Sequence, residues 1–120
     1  MLLTREAFLE KAKALALPYE DHTVEGLGTV RVRGLSVAER TRFELSISMG
    51  KGRDRDINIR EMREKLLVLC LVDETGAALL REDDKAAIGL LPAKQVEFLF
   101  DRARSLSGMT QADVDALGNG

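Results

Sequence analysis

The chain has 120 residues, the length of one ordinary domain, and 45% of them are hydrophobic, enough for one core without disulfide or metal staples. Charged residues make up 32% and nearly cancel to a net charge of −2, a balance that argues against a protein built chiefly to grip nucleic acid. The single Cys70 cannot form an internal disulfide, Met1-Leu-Leu-Thr-Arg-Glu6 lacks the long apolar core of a signal peptide, and no apolar run reaches membrane-spanning length, so the expected setting is soluble and reducing.

Taken in chain order, Thr4 caps a first helix to about Leu15, with Phe8, Ala12 and Leu15 on one side at helical spacing. Leu17-Pro18 ends it, because the residue before proline avoids the helical region. His22 to Glu25, a Gly26-Leu-Gly28 turn and Thr29-Val-Arg-Val-Arg33 read as an antiparallel β-hairpin, with Val30 and Val32 on an apolar face and Arg31 and Arg33 on a charged one. Gly34-Leu35 breaks the strand. Ser36-Val-Ala-Glu39 is a capping box that opens a helix to about Met49. That helix carries two apolar stripes on opposite sides: Phe43 with Ile47, and Ala38 with Leu45 and Met49. A helix apolar on both sides is either sandwiched inside its own domain or shared with a partner.

Gly50 to Asp56 reads as a polar loop opened by glycines. A long helix then starts at Asp56 or Asn58 and runs to about Leu69, with Ile59, Met62, Leu66 and Leu69 as its core face. Val72-Asp-Glu-Thr-Gly-Ala77 is a turn with Gly76 in the left-handed position, across which Leu71-Val72 and Ala78-Leu-Leu80 read as a very short second hairpin. Glu82-Asp-Asp84 leads a short helix, Lys85 to Leu90, and acidic residues there suit the helix dipole. Pro92 opens a helix to about Ser107, with Val96, Leu99, Phe100, Ala103 and Leu106 on one face and Phe98 projecting to the other, near Asp101 and Ser105. Gly108 is a C-cap glycine, Thr110 caps a last short helix with Val114 and Leu117, and the tail from Gly118 is expected to fray. The expected fold is α+β, a mainly helical single domain over residues 1–120 with a small antiparallel β-hairpin.

Reactive chemistry is sparse. One histidine, His22, rules out any site needing two. Cys70 sits in the apolar run Leu66-Leu-Val-Leu-Cys-Leu-Val72 and reads as a buried, inert thiol. Glu82-Asp-Asp84 lacks the spacing of a calcium loop, and Gly50-Lys-Gly52 lacks the loop length and hydroxyl of a Walker motif. No catalytic, metal or cofactor residues are expected; the candidate residues are partner contacts, namely Phe43 and Ile47 or Leu45 and Met49, together with Phe98. Charge is unevenly spread. Residues 29–65 carry ten Lys or Arg against six Asp or Glu, and residues 73–101 carry seven acidic against three basic. This means either two solvated faces of opposite sign or head-to-tail contact between like chains.

Three blocks, taken in order, resemble the tail assembly chaperones of long-tailed bacteriophages and prophages. The first is Thr29-Val-Arg-Val-Arg33, leading through Leu35-Ser36 into Ala38-Glu-Arg40 and Phe43. The second is Leu69-Cys-Leu-Val-Asp-Glu-Thr-Gly76, followed by the leucine-rich helix with Phe98 and Phe100. The third is Leu106-Ser-Gly-Met-Thr110 with its acidic helix. The resemblance spans roughly residues 20–117. It implies a non-enzymatic role in the host cytoplasm, outside the mature virion. The partners would be the tape-measure protein and, through a longer product of ribosomal frameshifting, the tail-tube protein. Leu117-Gly-Asn119 is compatible with the codons CTG GGA AAC, on which paired tRNAs can slip back by one base. Two other readings stay open: a small nucleic-acid-binding or regulatory module that uses the basic residues 53–65, and a structural neck or tail-completion protein.

Overall fold

A computed structural model describes residues 1–54 and 60–119, the last two by backbone only. Among these residues, helices dominate and three short strands form one antiparallel sheet, an α+β fold. Helix α1 (Arg5–Ala14) is capped by Thr4, whose Oγ1 accepts from the amide of Ala7 at 3.2 Å. Strands β1 (Tyr19–Val24) and β2 (Gly28–Arg33) pair from Tyr19 opposite Arg33 to Val24 opposite Gly28. The turn between them uses Gly26 at φ 82°, a conformation that costs a side-chain-bearing residue more than glycine. Val30 and Val32 turn into the core, while Arg31 on the other face grips Asp21 through two hydrogen bonds of 2.7 and 3.0 Å.

Helix α2 (Val37–Ser48) follows, then α3 (Met62–Cys70), which passes directly into β3 (Leu71–Val72). A 3-10 turn (Glu82–Asp84) leads into α4 (Lys85–Ile88), followed by α5 (Ala93–Leu106) and α6 (Gln111–Asn119). Helix α3 is the hub of the packing, touching α2, α4, α5 and the sheet. Phe43, Ile47, Leu66, Leu67, Ile88, Leu99, Val32 and Cys70 form the fully buried centre, and each large apolar side chain removed from water there contributes roughly 1.5–3 kcal/mol.

Several expectations need correction. The first strand begins at Tyr19, because Pro18 already pairs with the sheet, its carbonyl accepting from Gly34 at 2.8 Å. The β element is a three-stranded sheet rather than a hairpin alone, because Leu71 and Val72 pair with Val32 and Arg31; the short pairing expected around the Gly76 turn is present as a bridge from Val72 to Ala78. Arg53 and Asp54 are helical where a loop was expected, and the expected start at Asp56 or Asn58, with Ile59, lies outside the described residues. Leu69 and Leu106 are half-buried; on α3 it is Leu67, Val68 and Cys70 that join Met62 and Leu66 in the core. The short helix stops at Ile88 rather than Leu90, and α6 stays helical through Asn119 where fraying was expected. Phe8 and Ala12 share a side of α1, but Leu15 is the extended residue that ends the helix, and no residue of α1 is buried.

Candidate protein-binding surface

Helix α2 is set in place by a polar knot at its start. Ser36 Oγ accepts from the Glu39 amide at 3.3 Å, and Glu39 Oε1 accepts from the Ser36 amide at 3.0 Å, closing the capping box. Arg33, at the end of β2, donates to both Glu39 oxygens at 2.8 and 2.6 Å, a bidentate geometry stronger than a simple pair. The Arg33 guanidinium holds the Glu39 carboxyl down at about 2, against a smaller upward push from burial, and the Ser36 amide adds to the lowering. Next to the knot, the Leu35 amide donates to the buried Ser107 hydroxyl at 3.0 Å, tying the start of α2 to the end of α5. Gly34 is pressed so closely on α5 that a Cβ there would stand 2.2 Å from the Leu106 carbonyl oxygen. Arg40 completes the clamp, donating to the Gly108 carbonyl at 3.2 Å and lying 3.6 Å from Asp113 of α6.

This clamp decides which stripe of α2 faces inward. Phe43 and Ile47 are buried in the core, so their side chains are not available to a partner in the folded chain. Val37, Ala38, Leu45 and Met49 are exposed, Leu45 at 54%. Helical geometry, about 100° per residue, places Arg42 and Ser46 beside that outer stripe. Both line a groove of about 310 Å³ between α2 and α3, floored by Phe43 and Leu69 and closed by Glu39, Lys65 and Glu82. Stripe and groove therefore form one surface, apolar along its length with charge at its rim. Such a surface suits an amphipathic helix bearing apolar anchors at i, i+3 and i+4.

Phe98, the other sequence candidate, stands on α5 instead. Its ring is edge-on to His22 of β1, with centroids 4.9 Å apart, and it keeps 46% of its surface exposed. Below it Glu20 accepts from Arg102 at 2.8 and 2.6 Å and pairs with His22 at 2.8 Å; Arg102 first and His22 second hold its carboxyl down at about 2. Sequence reasoning missed the groove and Arg42. The only signal for them was the position of Arg42 beside the Ala38, Leu45 and Met49 stripe on the helical wheel.

The remaining reactive group is quiet. Cys70 is buried and its thiol is pushed up to about 12, chiefly by burial, which makes it a poor nucleophile at neutral pH. Among the described residues, no three His, Cys, Asp or Glu side chains converge on a metal-sized site, and no helix is long and apolar enough to cross a membrane.

No protein-family model matches the sequence, and no curated protein matches it. In three dimensions the chain is similar to the solved structure of the bacteriophage HK97 tail assembly chaperone. The match has a TM-score of 0.55 at 16% identity and covers 82% of this chain and 96% of that one. At that identity the likeness is one of fold.

Proposed function

We propose that this chain is a phage tail assembly chaperone, acting as one domain over residues 1–120 in the cytoplasm of the bacterial host and absent from the mature virion. The observation that carries the reading is the shared fold: nearly all of a tail assembly chaperone is matched by most of this chain. The sequence blocks that resemble the same family point the same way independently of the fold comparison.

In this reading the outer stripe of α2 and the groove beside it cover apolar stripes on the tape-measure protein. A tape-measure protein is a long helical chain, and uncovered apolar stripes on such a chain aggregate. Leu45, with Ala38, supplies the apolar contact, and Arg42 steers an acidic flank of the partner into register. A longer product, made by frameshifting near Leu117, carries the contact to the tail-tube protein. The C-terminal helix α6 packs on α2, so an added domain would emerge beside the partner-binding surface. No step in this role calls for bond-making chemistry, and the chain acts as a binding protein rather than an enzyme.

Co-expression with the tape-measure protein of the same gene cluster tests the proposal. A co-purifying complex and a rise in soluble tape-measure protein support it. No complex and no change in solubility would reject it, and recovery of the chain in purified virions would favour a structural neck or completion protein instead.

A further inference from the structure

Helix α3 carries a carboxylate where its pattern calls for a hydrocarbon. Leu67 and Val68 are buried, and Glu64 stands three and four residues before them, one turn earlier on the same side of the helix. An apolar residue is the ordinary occupant of such a position. Glu64 is half-buried there, and its Oε2 is fully buried and accepts no hydrogen bond from any described residue. A carboxylate oxygen taken out of water without a donor costs stability until a donor reaches it. The neighbouring acids are engaged: Glu61 holds Lys85 at 3.3 Å, and Glu97 holds Arg63.

Glu64 lines a notch of about 150 Å³ beside Gly89, with Ile88, Leu91, Ala93 and Val96 as apolar walls and the Arg63–Glu97 pair at its rim. The notch shares no lining residue with the groove beside α2. Apolar walls around one free carboxylate fit an alkyl chain that ends in a cation. Because Oε2 is buried, the carboxylate does not offer both oxygens side-on, the arrangement a guanidinium fork engages best; a compact ammonium needs only one. A metal ion would lack ligands, since no three His, Cys, Asp or Glu side chains converge among the described residues. Leu90, between two residues that line the notch, is 87% exposed. A free diamine seated in the notch would leave Leu90 in water, whereas a protein segment covers it.

We propose that the Gly89 notch is a lysine socket, which takes a lysine side chain from a second protein that is not a copy of this chain. The stem of that lysine lies against Ile88, Leu91 and Val96, its ammonium donates to Glu64, and an apolar neighbour of the lysine rests on Leu90. The Glu64 carboxylate turns about its terminal bond, a soft torsion, to bring an oxygen to the ammonium. The socket does not depend on the tape-measure reading and is tested without that partner, so either can fail while the other stands.

Amide NMR spectra of the full-length chain, titrated with Nα-acetyl-lysine N-methylamide, read the socket directly. A ligand of this size should bind with a Kd of about 1 mM, and the amides of Gly89, Leu91 and Val96 should move together. The norleucine analogue keeps the stem and loses the charge; it and the arginine analogue should each bind more weakly by about fivefold or more. An acetylated Leu-Lys-Leu amide, able to cover Leu90 as well, should bind about threefold tighter than the lysine amide, and cadaverine should not. Glu64→Gln should weaken lysine binding by about fivefold or more, and Leu90→Ser should erase the tripeptide's gain alone. Glu64→Leu removes the oxygen that lacks a donor, so it should raise the Tm and abolish the response to lysine. Silent notch amides, equal binding of the lysine and norleucine amides, lysine binding unchanged in Glu64→Gln, or a Glu64→Leu chain that melts below wild type would each overturn the proposal. So would cadaverine binding tighter than the tripeptide, which would make the ligand a free amine, or notch amides that shift when the chain alone is diluted, which would give the socket to this chain's own lysine.

Discussion

Replacing Glu39 by glutamine should expose how the start of α2 is held, and it should do so in a pH-dependent way. Glutamine keeps an acceptor for the Ser36 amide but loses the charge that receives both Arg33 bonds, at 2.8 and 2.6 Å. The folded-state Glu39 carboxyl sits at about 2 against an ordinary 4.5. A carboxyl lowered on folding adds stability that is fully present above its unfolded value and is lost as pH falls through its folded value. At about 1.4 kcal/mol per unit, the ceiling on that contribution near neutral pH is roughly 3 kcal/mol. Glu39 keeps 23% of its side-chain surface in contact with solvent, which trims the figure to about 2 kcal/mol. For a chain of this size that corresponds to a drop in Tm of about 6–12 °C. Urea titrations of wild type and Glu39→Gln at pH 7, 5 and 3 should show the full gap at pH 7 and 5 and less than half of it at pH 3. A gap that is the same at all three values, or no gap at pH 7, would refute the assignment of Arg33 and Glu39 as the clamp on α2.

Other substitutions test the same arrangement from different sides. Ile47→Ala should cost about 2–5 kcal/mol in chemical denaturation, as a buried large-to-small change, whereas Leu45→Ala on the outer stripe should stay within about 0.5 kcal/mol; equal costs would mean that the two stripes are misplaced. Gly34→Ala drives a Cβ to 2.2 Å from the Leu106 carbonyl oxygen, so a loss of about 3 kcal/mol or more is expected by thermal melting, overpacking of backbone on backbone being hard to relax; an unchanged Tm would contradict that packing. With its thiol held up at about 12, Cys70 should react with a disulfide reagent only as fast as the chain opens, and a fast native-state reaction would contradict its burial.

The parts of this fold that were legible in the sequence are those governed by neighbours a few residues apart. The Ser36–Glu39 capping box, the Thr4 cap, the Gly26 turn, the Gly76 turn and the Gly108 C-cap each rest on a local rule of hydrogen bonding or backbone sign, and each stands where the residues indicated. What stayed hidden depends on distant packing. Both sides of α2 are apolar, so periodicity could not choose between them; the choice follows from Arg33 fastening the helix to β2 and from Gly34, Leu35 and Arg40 fastening it to α5 and α6, contacts that span up to 73 positions in sequence. The pairing of β3 with β2 involves only two residues and carries no pattern of its own. For α1 the spacing gave an apolar side but not what covers it, because amphipathicity states a need for a partner without naming one. Phe98 found His22 rather than another helix, and nothing local marks such a meeting.

The most direct measurement of the central claim is the soluble yield of the tape-measure protein when co-expressed with wild-type chain, with Leu45→Asp and with a remote control, Leu27→Asp at the hairpin tip. Leu45 and Leu27 are equally exposed, at 54% each, so both variants should fold like wild type and differ only in what they can bind. Wild type and Leu27→Asp should raise the soluble yield, and Leu45→Asp, which sets a charge on the stripe, should not. Equal yields with Leu45→Asp and wild type would contradict the account, as would a wild-type chain that leaves the tape-measure protein insoluble.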